Sequence, residues 1–306
     1  MSTLSFQKLA FALLYFCFLW AVVNGVSIGS SIDHDNASKN QHLQTRRPGF
    51  LLPNSSSNFK THECQSFETT FSDPSDVSHS DKVSSSTPFV AISPTGSYSI
   101  VEGSGLELYL DRPEGKIHRK DKVNDKVAEG ATINSTFVFL HGKVTMELSA
   151  PKIPGAVTAA ILIGSDSRDE IDVELLGGDP HHWQTNVFAY THADKEPLWG
   201  VFGEVEDYSK KSNEIDEIHS YTIDWNESRI VWSVDGVVAR TLEKEDTEKN
   251  GGFHFPSHLS RIQLGIWDAS NPAGTSEWAK GPIDWDKVPK RTKAIFKSIK
   301  LECPNN

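Results

Sequence analysis

The feature that most constrains the fold is a pair of short alternating runs, IVWSV and VVARTL, joined by Asp235-Gly236. A type I′ turn needs positive φ at both central residues, and Asp-Gly is one of the dipeptides that supply it. Ile230 to Leu242 is therefore predicted to form a β-hairpin with a two-residue loop. Trp232 in this hairpin, like Trp225 before it, alternates with apolar neighbours and is interpreted as a core residue.

Other parts of the chain show the same pattern of short strands between turn signals. There is no long amphipathic helical pattern and no internal repeat, so the sequence predicts an all-β domain built as a sandwich or barrel. Two further hairpins and a closing strand are predicted: Tyr98–Val101 with Leu106–Leu110, Thr136–Leu140 with Lys143–Leu148, and Lys293–Cys303 as the last strand.

Length and charge limit the possible functions. The chain has 306 residues, 37% of them hydrophobic, which is enough for one large domain with a sizeable core. Its formal net charge of −11 argues against nucleic acid or an anionic membrane surface as a partner. A neutral polysaccharide is compatible with that charge. A monomer is expected.

The N-terminus predicts export. Lys8 precedes an apolar run from Leu9 to Val23, and Asn24-Gly25-Val26 follow it. This is the pattern of a secretory signal peptide, assigned to residues 1–25; a retained membrane anchor is the alternative. Residues 26–63 are rich in Ser, Asn, Gln and His and are interpreted as a flexible linker or pro-segment, which leaves 64–306 as the folded domain. A secreted protein of the extracellular space or cell wall, without a membrane span after signal removal, is expected.

The cysteines agree with an oxidising compartment. Cys17 leaves with the signal peptide, so Cys64 and Cys303 remain, one before the folded region and one at its end. A single disulfide between them is predicted, with two free thiols as the alternative. Four N-x-S/T sequons also fit secretion, although such triplets occur by chance: Asn36, Asn54, Asn134 and Asn226.

The stretch DEIDVE, residues 169–174, carries the chemistry. Alternate residues of a strand point to one face, so Glu170, Asp172 and Glu174 would stand in one row with two apolar residues on the other side. Two extended Glu side chains on Cα atoms roughly 13 Å apart can bring their carboxyl groups toward the ~5–5.5 Å separation of retaining glycosidases. One Glu would attack the anomeric carbon and the other would protonate the leaving oxygen. Spacing alone leaves open which Glu does which.

A solvated strand face with idle charges is the alternative interpretation. Three like charges on one strand face are unfavourable without cationic partners, and Arg168 is the only cation nearby in the sequence. That cost favours a catalytic use of the three acids.

The sequence DEIDVELLGGD, followed by QTNVF at 184–188, resembles glycoside hydrolase family 16, and most closely its fungal Crh-type branch, which links chitin to β-glucan. The resemblance extends through HSYTIDW, IVWSVDGVVART, IQLGIWDAS and GTSEWAKGPIDW, and covers roughly Thr87 to Cys303. It implies a jelly-roll β-sandwich of two curved antiparallel sheets, similar to concanavalin A, with the acids on the concave face.

The resemblance also implies roles for the acids. Glu170 would be the nucleophile, Asp172 would assist it, and Glu174 would be the general acid/base. Only one residue separates Asp172 from Glu174, so an unbulged strand is expected, whereas many laminarin-cleaving relatives have two residues there. The implied reaction is transfer of chitin chains onto β-glucan by double displacement, without a cofactor or metal.

Five further residues are predicted to bind sugar. Aromatic side chains stack on the apolar faces of sugar rings, and the family resemblance implicates Trp267, Trp278, Gln263 and Thr275. Core packing is the alternative for both Trp residues. Asn186 is predicted to hydrogen-bond a hydroxyl or, alternatively, a buried backbone group.

The sequence leaves other interpretations open. His181-His182 lack a third ligand at a recognisable spacing and are interpreted as loop residues. An endo-β-glucan hydrolase and a xyloglucan-type endotransglucosylase are competing activities, because the latter shares DEID-x-E and TNVF. A non-catalytic lectin on the same sandwich is the competitor from another class of protein.

Overall fold

The computed structural model describes residues 64–82, 84, 86–191, 194, 197–210 and 212–304. The predicted signal peptide at 1–25 and the predicted linker at 26–63 lie outside the described residues. The described part is almost entirely β-structure, as the spacing of turn signals predicts.

The strands of the described part are, in chain order, β1 (Phe67–Thr69), β2 (Val77–His79), β3 (Phe89–Ala91), β4 (Tyr98–Val101), β5 (Gly105–Asp111), β6 (Arg119–Lys120), β7 (Val123–Asn124), β8 (Ala131–Ser135), β9 (Gly142–Ser149), β10 (Ala156–Gly164), β11 (Glu170–Leu176), β12 (His182–Phe188), β13 (Glu204–Asp207), β14 (His219–Trp225), β15 (Arg229–Val234), β16 (Val237–Glu243), β17 (Glu248–Lys249), β18 (Gly252–Phe253), β19 (Ser260–Asp268) and β20 (Arg291–Glu302). A short α-helix, α1 (Ala273–Trp278), and two 3-10 turns (Pro74–Asp76 and Lys244–Thr247) complete the regular structure there.

Two eight-stranded sheets pack face to face. The first sheet has the order β16-β15-β14-β9-β20-β5-β4, with β1 added along β20. The second sheet has the order β13-β12-β11-β10-β19-β8-β3-β2 and contains the acid strand β11 near its middle. Pairing is antiparallel in both sheets except between β2 and β3, which run parallel and correct the expectation of wholly antiparallel sheets at that edge.

The core lies between the inner faces of the two sheets. Ile171, Val173 and Leu175 of β11 contribute to it from the second sheet. Trp225 and Trp232 contribute from the first sheet and are 1% and 0% exposed, which confirms their interpretation as core residues. The apolar half of the DEIDVE alternation is therefore what attaches β11 to the sandwich.

Three of the four predicted strand arrangements are confirmed. Asp235 and Gly236 join β15 to β16 with φ of 52° and 76°, both positive as a type I′ turn requires. Strands β4 and β5 form the second hairpin, and β20 closes the domain as the last strand.

The predicted hairpin between Thr136–Leu140 and Lys143–Leu148 is wrong. The preceding strand β8 pairs with β19 and β3 in the second sheet, whereas β9 pairs in the first sheet. The chain changes sheets between them, at His141 with φ of 62°. Phe139 is 1% exposed and packs in the core, so it anchors the segment that crosses between the sheets rather than a hairpin strand.

A disulfide ties the two ends of the domain together, as predicted. Cys64 and Cys303 are bonded, with their Cα atoms 5.5 Å apart and a separation of 239 positions in sequence. Pairing of β1 with β20 brings the two cysteines to the same place. Closing so long a loop restricts the unfolded chain and stabilises the fold.

Candidate active site

The three carboxylates of β11 lie on one face of the second sheet, called the acid face below. Strand β11 pairs in uninterrupted register with β10 on one side and β12 on the other, which confirms the expected unbulged strand. The acid face points away from the core, yet Glu170, Asp172 and Glu174 are only 8%, 1% and 5% exposed. The face is therefore recessed, and neighbouring side chains cover most of the carboxylate surface.

Residues paired directly across antiparallel strands share a face, so the strand pairing identifies the neighbours of each acid. Asp172 is flanked by Ile161 of β10 and Asn186 of β12. Beyond Ile161, the same row continues with Gln263 of β19 and Asn134 of β8.

The row through Glu174 is different, because it is lined by small residues on one side. Ala159 pairs with Glu174, and Gly265 pairs with Ala159. On the other side of Glu174 stands Gln184. The small side chains leave the surface low beside Glu174, where a sugar ring could approach its carboxyl group.

Burial and mutual repulsion shift the protonation of the acids. Burial raises the pKa of Glu170 to about 7, and a hydrogen bond with Asp172 offsets part of that rise. Burial raises the pKa of Asp172 well above its usual range, and the neighbouring Glu170 and Glu174 carboxylates raise it further.

When both groups are ionised, neither Asp172 oxygen nor Glu170 Oε1 has a donor partner among the described residues. A proton on Asp172 removes this conflict, because the protonated carboxyl can donate a hydrogen bond to Glu170. The arrangement therefore favours a neutral Asp172 beside an ionisable Glu170.

An aromatic platform borders the Glu174 end of the acid face. Trp267 of β19 and Trp278 at the end of α1 are stacked, with ring centroids 5.9 Å apart and ring planes at 19°. Both are half-buried, and Trp278 Nε1 donates to Gln184 Oε1 at 3.0 Å. Because Gln184 pairs with Glu174, this bond joins the platform to the carboxylate row.

The other predicted binding residues fall in two places. Gln263 lies in the Asp172 row and is 6% exposed, with Nε2 donating to Asn134 Oδ1 at 2.8 Å. Asn186 also lies in that row; its Oδ1 accepts from the Val187 backbone N–H at 2.9 Å, which fits the alternative that it satisfies a backbone group. Thr275 is one turn before Trp278 in α1 and half-buried.

A second aromatic group borders the Glu170 end and was missed by sequence reasoning. Phe188 pairs with Glu170 and meets Trp199 edge-on, with ring centroids 5.3 Å apart. The Arg168 guanidinium lies over the Tyr190 ring at 5.0 Å from its centroid, so the cation nearest the acids in sequence contacts an aromatic side chain. The alternation of Gln184, Asn186 and Phe188 within QTNVF was the available signal for Phe188, whereas Trp199 lies in a loop without any motif.

Gln184 and Asn134 were also missed as site residues. Gln184 was available from the period-two alternation, since it lies two positions before Asn186 on the same strand face. Asn134 was noted only as a sequon, but its side chain is 8% exposed and engaged by Gln263.

The histidine pair has carboxylate partners. His182 Nδ1 lies 2.6 Å from Asp179 Oδ1, and His181 Nε2 lies 3.3 Å from Glu214 Oε1. His181 is in a turn, as interpreted from sequence, but His182 is the first residue of β12. Across the described residues, no group of three or more His, Cys, Asp or Glu side chains is arranged to hold a metal ion. No helix in that part of the chain is long and apolar enough to cross a membrane.

Two packed sheets with a recessed carboxylate row and aromatic borders define a β-sandwich of the glycosidase class. The chain belongs to the family described as Glycosyl hydrolases family 16, whose family model matches residues 89–287.

Relatives and solved structures place the chain near the fungal Crh-type branch, which confirms the resemblance drawn from sequence. Crh-like protein 2 of Aspergillus fumigatus is 38% identical over 192 residues, covering 58% of this chain and 41% of the relative. Crh-like protein 5 of the same organism is 37% identical over 186 residues, covering 59% of this chain and 43% of the relative. The chain thus spans about two fifths of the length of these relatives.

Among solved structures, a Crh5 transglycosylase in complex with NAG superposes with a TM-score of 0.61 and 28% identity, covering 80% of this chain and 86% of that one. A Bacillus licheniformis β-glucanase superposes with a TM-score of 0.58 at 17% identity, covering 80% of this chain and all of that one, and shows the shared fold. The predicted jelly-roll sandwich is confirmed.

Proposed function

We propose that this domain is a retaining transglycosylase of cell-wall polysaccharide that cleaves a chitin chain and transfers it onto β-glucan. The observation that carries the proposal is the row of three buried carboxyl groups on the unbulged strand β11. Burying three acids on a face that needs none of them for packing costs folding free energy, which a catalytic role explains.

In the first step, the Glu170 carboxylate attacks the anomeric carbon of the donor sugar. The bond from that carbon to the leaving oxygen breaks, and Glu174 gives its proton to this oxygen. A neutral Asp172 donates a hydrogen bond to Glu170 and orients it for attack. The product of this step is a glycosyl-enzyme ester on Glu170, and the remainder of the donor chain leaves as an alcohol.

In the second step, the Glu174 carboxylate takes the proton of an acceptor hydroxyl. The acceptor oxygen attacks the same anomeric carbon and displaces Glu170 as a carboxylate. Two displacements at one centre retain its configuration. A sugar hydroxyl as acceptor gives transfer, and water gives hydrolysis.

The borders of the acid face support a polysaccharide chain as substrate. The Trp267–Trp278 platform lies at the Glu174 end and the Phe188–Trp199 pair at the Glu170 end. Aromatic rings on both sides of the carboxylates suit sugar units on both sides of the cleaved bond. Chitin as donor rests on the likeness to a Crh5 transglycosylase in complex with NAG, and the Crh-type relatives favour transfer over hydrolysis.

A cell-wall substrate requires export, so the proposal includes secretion to the extracellular space or wall through the signal peptide predicted at residues 1–25. A lectin would retain the aromatic borders. It would have no use for three carboxyl groups buried in one row, and for that reason catalysis is favoured over binding alone.

The test is incubation of the secreted protein with a fluorescent chitin oligomer and β-glucan, followed by size separation of the products. Long fluorescent hybrids are expected from the wild type, and Glu170→Gln is expected to give none. Shortened oligomers without hybrids would replace the transferase by a hydrolase. Binding without any product would overturn the enzyme proposal in favour of a lectin.

A further inference from the structure

The catalytic strand is also held from the opposite sheet. Trp232 of β15 is fully buried, and its side chain crosses the core, where Nε1 donates to the backbone carbonyl of Asp172 at 3.1 Å. That carbonyl belongs to the peptide unit between Asp172 and Val173. The orientation of this unit affects the direction in which the Asp172 side chain leaves the strand, and it lies one residue before Glu174.

Trp232 is in turn fixed by Arg240 of β16. The Arg240 guanidinium lies over the indole ring at 4.8 Å from its centroid, an arrangement that attracts the cation to the ring face. Arg240 Nη1 donates to Thr185 Oγ1 at 2.8 Å, and Nη2 donates to the Phe202 carbonyl at 2.7 Å. One side chain thus joins the indole to β12 and to the loop that follows β12.

The second anchor point lies beside the same segment of β11. Thr185 pairs directly with Val173, the residue between Asp172 and Glu174. The Thr185 hydroxyl donates to Glu206 Oε1 at 2.8 Å, so a buried carboxylate with no place in the proposed reaction ends the chain of bonds.

A β-bulge in the first sheet lies next to Arg240. Trp232 pairs with Arg240, but the next residue, Ser233, pairs with Val238, which leaves Ala239 as an extra residue on β16. Such bulges bend a strand and re-aim its side chains, and they are common beside active sites. Here the bulge adjoins Arg240, whose side chain reaches the second sheet.

We propose that Trp232 and Arg240 are positioning residues, which hold the Asp172–Glu174 segment of β11 in the orientation that catalysis needs. This inference rests on the proposed function for its kinetic consequence. The structural consequence, a stiffer β11, does not depend on the proposed function.

The decisive comparison is Trp232→Phe against Trp225→Phe. Both substitutions keep an aromatic ring and remove a buried N–H donor of the first sheet. Trp225 is 1% exposed, and its Nε1 donates to the Pro256 carbonyl at 3.1 Å. The Ser257 N–H of that peptide unit donates to Asp169, just before β11, so the two variants are compared at the Asp172–Glu174 segment. The two variants are expected to lose similar thermal stability, since each leaves one carbonyl without its donor.

The two variants are expected to differ in two measurements. Trp232→Phe should lower kcat for chitin–glucan transfer roughly tenfold with KM changed less than twofold, because small misplacements of catalytic groups are costly. It should also speed backbone amide exchange within β11. Trp225→Phe should change neither. Equal kcat and equal β11 exchange in the two variants would overturn the proposal.

Arg240→Lys tests the positioning role of Arg240, because Lys keeps the charge but loses the forked donor geometry. The kcat and the β11 exchange rate of this variant are each expected to lie between those of the wild type and of Trp232→Phe. If both equal the wild-type values, Arg240 has no positioning role. If the wild type gives no transfer product, the proposed function fails, and the β11 exchange rates still decide the positioning role.

Discussion

Glu107 and Glu170 are both buried glutamates on the outward faces of their sheets, and their surroundings are opposite. Glu107 of β5, 6% exposed, accepts hydrogen bonds from Lys293 at 2.5 Å, Ser104 at 2.7 Å and Tyr109 at 3.0 Å. Burial raises the pKa of Glu107, but these donors outweigh it and the net pKa is lowered. For Glu170, burial outweighs the hydrogen bond with Asp172, and the pKa is raised to about 7.

The difference teaches how to recognise a functional acid. A buried carboxylate surrounded by donors contributes to the stability of the fold, whereas one surrounded by other carboxylates costs stability and keeps its reactivity. The two glutamates therefore serve as matched positions for testing which buried carboxylate acts in catalysis and which stabilises the fold.

The largest expected effect is the loss of catalysis in Glu170→Gln, which removes the proposed nucleophile. The rate of transfer or hydrolysis should fall by roughly 10³-fold or more. Glu107→Gln should leave the rate unchanged and lower the free energy of unfolding by about 1 kcal/mol, because an ionic hydrogen bond becomes a neutral one. Rates are measured on the labelled chitin oligomer. A Glu170→Gln variant that folds and remains active would remove Glu170 from the mechanism.

Glu170 and Glu107 should change the free energy of unfolding with pH in opposite directions. The folded protein holds the Glu170 proton up to about pH 7, while the unfolded chain loses it near 4.5. The folded state therefore binds more protons in this window, and the free energy of unfolding should fall as pH rises from 4.5 to 7, by up to about 3 kcal/mol.

For Glu107, with its lowered pKa, stability is instead lost as pH falls below about 4.5. Denaturant unfolding across pH 3.5 to 7.5 should show Glu170→Gln more stable than the wild type at pH 7.5 and similar to it at 4.5. Equal stability of the two proteins at pH 7.5 would contradict the raised pKa of Glu170.

The smallest expected effects come from two substitutions of Asp172, which distinguish the contribution of its hydrogen bond to Glu170 from that of its charge. Asp172→Asn keeps a neutral donor beside Glu170 and should lower kcat roughly tenfold, whereas Asp172→Ala removes the donor and should lower it roughly 100-fold. Steady-state kinetics at pH 7.5 measure both variants. Equal losses would show that donation to Glu170 is not what Asp172 contributes.

Much of this could be predicted because it depends on local pattern. The Asp235-Gly236 turn follows from backbone conformations that few dipeptides adopt, and the common face of Glu170, Asp172 and Glu174 follows from the period of a strand. The failed hairpin at Thr136–Leu140 shows where local pattern ends. Apolar alternation is the same whether the next strand stays in the sheet or crosses to the other one.

What the sequence by itself determined is the order of short strands, the alignment of the acids and the family, because each is written in residues close together along the chain. The tertiary structure alone decided which residues surround the acids: Gln184 joined to Trp278, Trp199 beside Phe188, and Trp232 reaching Asp172 through the core. The pKa of Glu170 belongs with these, since its burial arises only when distant strands pack together.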